Sequence, residues 1–438
     1  MLWIELIIVL AMIVIGARFG GLGLGMMGGA GVAILCFVFG ARPASPPIEV
    51  MLMIAAVITA AGSLQAAGGM DYLVDLAERA LRRHPPAITF VAPVVAYLFT
   101  LFAGTGHVAY AILPVISEVS VEAGVRPERP LSISVIASQQ AITASPISAA
   151  TVALVGLVSG AGITLGGLIG VCIPATLVGV LVGALVASRM GKELKDDPEA
   201  QRRLSKDGKR AAAGEKRAPA TLQAKLAVGL FLLGVVAIVL FGSFPVLRPA
   251  YELGGKTVRM EMANTIEMVM LTLAALMVVF CKADVEDVAK GSVFRAGMQA
   301  VIAIFGIAWM GDTFFQDNAA AIQAPLERMV THAPWAFAFA LFVMSILLYS
   351  QAATIRTLAP LGLSIGLPGS ALVGMFPAVN GYFFIPNYPT VVAAINFDRT
   401  GTTHIGKYLL NHSFMLPGLA ATATAVAVGL ALSRFILP

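Results

Sequence analysis

Charge is what this sequence has least of. Asp, Glu, Lys and Arg make up 12% of 438 residues, against about a quarter in soluble domains. Hydrophobic residues make up 58%, and mean hydropathy is +0.88. That balance excludes an ordinary soluble globular domain. Cysteine is scarce as well. Cys36, Cys172 and Cys281 stand in or beside apolar runs without motif spacing, which excludes a disulfide frame and a thiolate metal site. Five histidines with no HExxH-type pair leave no constellation for a membrane enzyme. The basic run 189–225 has no interleaved aromatics, so nucleic acid is not an expected partner.

What the chain has is apolar length, with 44 glycines and 24 prolines, residues that transmembrane helices tolerate. The fold class expected is an all-α polytopic membrane protein in a lipid bilayer. About ten segments approach the roughly 20 residues needed to span: 2–17, 21–40, 49–67, 131–157, 163–188, 224–243, 264–281, 296–315, 370–395 and 411–434. Two further apolar stretches, 88–121 and 335–365, are interrupted by "AGTGH" (103–107) and "SQAAT" (350–354). Each arm is about 15 residues, or about 22 Å, too short for a hydrocarbon core of about 30 Å. Both stretches therefore read as re-entrant helical hairpins, whose non-helical tips must face protein or a water-filled cavity.

The opening "MLWIELIIVLAMIVIGARFGG" places Glu5 early and Arg18 late, the reverse of a secretory signal. It reads as an uncleaved first helix with its start outside. Alternating the spans from there puts both termini in the periplasm. Most of the 29 Lys and Arg then fall inside, leaving Arg42, Arg248, Lys256, Arg259, Arg328 and Arg434 outside, with Arg356 in a hairpin. The basic tract divides the chain into a first repeat (1–188), a polar cytoplasmic linker (189–223) and a second repeat (224–438). Each repeat offers five spans and one hairpin in the same order. "LFAGTGHVAYAILPV" (101–115) overlays "LLYSQAATIRTLAPL" (347–361), with Pro114 on Pro360. An odd number of spans turns the second repeat upside down, the inverted-repeat plan of secondary transporters.

The hairpin tips supply the candidate site. Helix starts after Gly104-Thr105-Gly106 and after Ser350-Gln351 present free N–H groups and the positive end of a dipole to an anion. Arg356, about one and a half turns past its tip, offers a planar fork for a carboxylate; snorkelling, or pairing with Asp312, is the competing reading. Thr354 lies on the same half-helix. "ASQQAITASPIS" contributes Ser138, Gln139, Gln140, Thr143, Ser145 and Ser148 around Pro146. "NGYFFIPNYPT" contributes Asn380, Tyr382, Asn387, Tyr388 and Thr390 around Pro386 and Pro389. Hydroxyls, amides and freed carbonyls suit substrate oxygens or a coupling Na⁺. His107 reads as a ligand, a proton carrier or a satisfied polar group. Asp312 is either a proton carrier or a helix-break cap. Asn380 and Tyr382 join Asp312 as coupling-ion candidates, and Na⁺ and H⁺ both remain open. Asp398, Arg399 and His404 read as a solvated inner loop.

The segments "GARFGGLGLG", "AAGGMDYLV", "FAGTGHVAYAILPVI", "RPERPLS", "SQQAITASPISAA", "WMGDTF", "YSQAAT", "IPNYPTVVAAI" and "GTTHIGKYLLNHSFMLPG" together resemble the Dcu family of anaerobic four-carbon dicarboxylate transporters, A/B type. The likeness runs from end to end. It implies a bacterial inner-membrane carrier for fumarate, succinate, malate and aspartate, working by fumarate/succinate exchange or cation-coupled uptake. It also implies an elevator mechanism, no cofactor beyond the coupling ion, and a homodimer. A sensor kinase partner fits the resemblance too, although co-regulation leaves two polar hairpins without a task. A carrier for another small organic anion is the remaining alternative.

Overall fold

The computed structural model describes residues 2–46, 48–207, 220–254, 256–332, 335–348, 350–386, 388–406 and 411–438. Its first half holds α1 (Leu2–Arg18), α2 (Gly20–Phe37), α3 (Ile48–Ala66), α4 (Gly69–Arg83), α5 (Ile88–Ala103), α6 (Ala109–Glu122), α7 (Glu128–Ile142), α8 (Ala149–Val158) and α9 (Leu165–Ser188). The short α10 (Pro198–Asp207) follows. The second half holds α11 (Leu222–Ser243), β1 (Ala250–Leu253), β2 (Lys256–Arg259), α12 (Met262–Cys281), α13 (Val285–Lys290) and α14 (Ser292–His332). It continues with α15 (Trp335–Leu348), α16 (Gln351–Ser364), α17 (Gly369–Met375), α18 (Pro389–Phe397) and α19 (Met415–Ile436). The two strands form an antiparallel hairpin, with Ala250 opposite Arg259 and Leu253 opposite Lys256.

This is an all-α polytopic membrane protein. Among the described residues, six helices are long and apolar enough to cross a membrane, or seven if the bent α3–α4 pair is one span. The outer faces remain greasy: Phe37, Val38, Leu233, Val279 and Phe280 are exposed, as lipid contact requires. Helix starts follow local capping chemistry. Thr164 accepts from the Gly167 N–H at 3.1 Å, and Thr221 from the Ala224 N–H at 3.1 Å. α2 packs on α14, α3 on α12, and α9 on α19. Close approach comes from small residues: a methyl group built on Gly28 would strike the backbone of Gly306, and one on Gly179 the carbonyl of Ala421.

Several expected boundaries change. The expected span 131–157 is two helices, because the chain leaves helical geometry between Thr143 and Ser148 around Pro146, and Ser148 caps a fresh start at α8. The expected span 370–395 is likewise split, with short 3₁₀ turns at Phe376–Val379 and Gly381–Phe383 between α17 and α18. These breaks leave fewer long helices than the ten spans expected. Expected 296–315 extends through the 41-residue α14, and expected 411–434 starts later, at Met415. α4 was not expected as an element. It is amphipathic, burying Val74, Ala77 and Leu81, with Arg82 and Arg83 in its last turn. It departs from α3 by 74° at Gly68, whose φ of 77° lies in the left-handed region.

The loop after α18 corrects a further expectation: Asp398 is buried, 5% exposed. Its carboxylate accepts from the Thr400 N–H (2.8 Å), the Thr400 and Thr402 hydroxyls and the Thr403 N–H (2.6 Å). Next to it, Glu128 accepts from Ser413 Oγ (2.7 Å) and Arg126 Nε (2.6 Å), and Arg126 also donates to Asp197 (2.6 Å). A short polar loop with no apolar periodicity folds around one carboxylate. His404 stays half exposed, with Nδ1 at 2.7 Å from the Thr402 carbonyl.

Candidate functional site

Four interruptions among the described residues shape the interior: 104–108 between α5 and α6, 143–148 between α7 and α8, Ser350 before α16, and 376–386 with Tyr388 between α17 and α18. α5 ends at Gly104, whose φ of +70° places the chain in a region costly for any residue with a Cβ, and whose N–H bonds the Thr100 carbonyl at 2.8 Å. α16 begins at Ser350, which caps it by accepting from the Ala353 N–H at 3.2 Å. Thr354 returns its hydroxyl to the Ser350 carbonyl at 2.7 Å.

The two breaks meet at one side chain. Gln139, on α7, is 1% exposed. Gln351 donates Nε2 to Gln139 Oε1 at 2.9 Å and to Asn380 Oδ1 at 3.1 Å. From the other direction, a methyl group on Gly106 would collide with the amide nitrogen of Gln139. The cluster continues outward. Asn380 Nδ2 donates to Gln140 Oε1 (3.2 Å) and the Pro377 carbonyl (3.1 Å), and Gln140 Nε2 donates to Thr422 Oγ1 (2.9 Å). Gln139 Nε2 has no partner although it is buried. The hydroxyl of Thr390, the second residue of α18, is in the same condition. Leaving a buried donor unmade costs about 1–3 kcal/mol, which a ligand oxygen would return.

The remaining expected site residues fall into distinct places. Ser138 sits beside the first break, sharing a hydrogen bond with Thr100 (2.7 Å) and reaching the Gly106 carbonyl at 3.4 Å. Thr143 and Ser145 spend their hydroxyls on the carbonyls of Gln140 (2.8 Å) and Leu101 (2.7 Å), so they hold the break in shape. Tyr382 OH reaches the Val135 carbonyl at 3.4 Å and its ring lies 4.7 Å from that of Tyr388. Thr105 is half-buried at the tip. Asn387 and the side chain of His107 lie outside the described residues. Thr422 had no signal in the sequence, being one of two threonines in the alanine-rich "ATATAV".

Arg356 is not part of the amide cluster. It lines a cavity of about 760 Å³ together with Arg248, Arg259, Glu261 and residues of α8. Asp312, on α14, lies within electrostatic reach of Arg356 but does not line that cavity. The cluster itself is therefore neutral: amides, hydroxyls and first-turn N–H groups, suited to carboxylate oxygens that must be held and then released.

A family model described as an anaerobic C4-dicarboxylate membrane transporter, DcuA_DcuB, matches residues 1–437. This chain belongs to the DcuA/DcuB family. It is 45% identical to "C4-dicarboxylate transporter DcuA" of Escherichia coli (strain K12), over the full length of both chains. Identity to the DcuA of Wolinella succinogenes is 42%, again over both full lengths. "Anaerobic C4-dicarboxylate transporter DcuB" of Escherichia coli O6:H1 is 40% identical over 97% of each chain. The relatives are named as transporters, which points away from an enzyme.

Proposed function

We propose that this chain is a secondary active transporter of C4-dicarboxylates, carrying fumarate, succinate, malate or aspartate across a bacterial inner membrane. It does so by fumarate/succinate-type exchange or by uptake coupled to Na⁺ or H⁺. The observation that carries the reading is the meeting of both helix breaks at Gln139, with its unpartnered Nε2. One substrate carboxylate is held by Gln139 Nε2 and the first-turn N–H groups of α16. The other lies against Gly104, Thr105 and Gly106, with Ser138 and Thr390 within the same polar lining. Asp312, Asn380 and Tyr382 are the positions for the coupling ion. A neutral site keeps a dianion from binding too tightly to leave, because hydrogen bonds to charged groups contribute about 1.5–3 kcal/mol each.

The same reading makes the halves, 1–188 and 224–438, inverted repeats joined by the basic linker 189–223. It is supported by reciprocal packing: α2 on α14 answers α12 on α3, and α7 on α9 answers α17 on α19. The hairpins α5–α6 and α15–α16, with the split helices beside them, then move as an elevator against the remaining helices. Both termini lie in the periplasm, and two copies pair through the stationary helices. Liposomes loaded with succinate test the activity. External labelled fumarate is expected to accumulate when succinate is inside or when an inward Na⁺ or H⁺ gradient is imposed, and no accumulation under either condition would contradict the reading.

A further inference from the structure

Three arginines from distant parts of the chain face one cavity, and no sequence pattern links them. Arg248 follows α11, Arg259 ends β2, and Arg356 is on α16. The first two are locked into place by the strand hairpin. Arg248 Nη1 donates to the Met260 carbonyl at 3.0 Å, and Arg259 Nη1 to the carbonyls of Val246 (3.3 Å) and Arg248 (3.4 Å). These bonds use one edge of each guanidinium. Arg248 Nε is buried without a partner. Burial and then the charge of Arg259 lower the pKa of Arg248, as expected where like charges are held together with too few anions.

Glu261 is the carboxylate among the residues lining this cavity. Three guanidiniums against one carboxylate give the lining itself a surplus of two positive charges, eased at Arg356 by Asp312 behind it and left fullest at Arg248 and Arg259, a field that suits a dicarboxylate dianion. The volume, about 760 Å³, lies within the range of small-molecule sites and leaves a four-carbon acid room for part of its hydration shell. α16 links the cavity to the centre: it packs on α8, and Arg356 on the cavity wall stands five residues, about 7.5 Å along the helix, from Gln351.

We infer that this arginine-lined cavity is a capture site for dicarboxylate dianions, separate from the amide cluster and feeding it. Resting on the transport reading above, it assigns Arg248 and Arg259 to recruitment and Arg356 to the hand-over between the two sites. Its field raises the local concentration of dianions and acts less on monocarboxylates, whose single charge gains about half as much.

The test uses Ser159→Cys, a reporter thiol on the cavity lining, in a chain whose three native cysteines are replaced. Succinate should slow labelling of that thiol by an impermeant maleimide, butyrate should not, and salt should weaken the protection. Arg248→Gln with Arg259→Gln, which keeps hydrogen-bond donors, should abolish protection and raise the succinate KM about tenfold at low salt, with kcat little changed. Arg248→Lys with Arg259→Lys should restore most of both. A thermal melt checks that each variant is folded. If the reporter chain transports succinate while its thiol is unprotected, or if protection survives loss of both arginines, the capture site is overturned. If the unaltered chain exchanges no dicarboxylate, the transport reading itself fails.

Discussion

The amide centre and the cluster around Asp398 are both buried and differ in how completely their polar groups are paired. Around Asp398, both carboxylate oxygens are bonded, and Glu128 is held by Ser413 and Arg126; one hydroxyl, Thr403 Oγ1, is left over. At the centre the charges are missing and a donor is left open on Gln139. The loop spends its polar groups on a fixed shape. The centre keeps one in reserve, at a stability cost that a bound anion would offset.

Breaking the loop should have the largest effect on folding. Asp398→Ala orphans four donors and should cost about 3–5 kcal/mol, read as a large fall in melting temperature. The two neighbouring glutamines sharpen the contrast within the centre. Gln140→Leu strips partners from Thr422 and Asn380 and should cost about 1–2 kcal/mol. Gln139→Leu takes one acceptor from Gln351 Nε2, which keeps Asn380 Oδ1, and at the same time removes an unpaired buried donor; the two offset, so stability should change by less than about 1 kcal/mol while dicarboxylate exchange drops. Equal melting shifts for the two would erase the distinction. Gly106→Ala should also melt normally or nearly so but exchange slowly, because the added methyl displaces the Gln139 amide. The smallest effect belongs to Asp197. Arg126, by hydrogen bond, holds its carboxyl below the usual 3.8, so the pair's stabilisation is present above that pH and fades as pH falls through the lowered value. Partial exposure limits the cost of Asp197→Asn to about 1 kcal/mol or less, and the difference from the unaltered chain should vanish in acid.

Two breaks were readable because glycine and serine interrupt apolar runs, at "AGTGH" and "SQAAT"; "TASPIS" and "IPNYPT" carry their prolines inside the stretches expected as single spans, 131–157 and 370–395. That 143–148 fully divides α7 from α8 was harder to see, since apolar residues on both sides sustain the look of one span. α4 escaped because an amphipathic helix carries too much charge to count as apolar. Asp398 looked solvated because nothing local shows that four donors fold over it. Arg356 was visible as a charge in an apolar segment, yet its company was not. Arg248 and Arg259 lie about a hundred residues away, and only the fold brings them to the cavity that Arg356 and α8 also line.

Succinate binding to the purified Gln139→Leu protein tests the central claim most directly. Calorimetry at low salt should show the unaltered chain binding succinate and the variant, melting at nearly the same temperature, binding at least about tenfold more weakly, the loss of one hydrogen bond to a charged group. A folded Gln139→Leu protein that binds succinate with unchanged affinity would contradict the assignment of this side chain, and with it the meeting of the two breaks, to the substrate site.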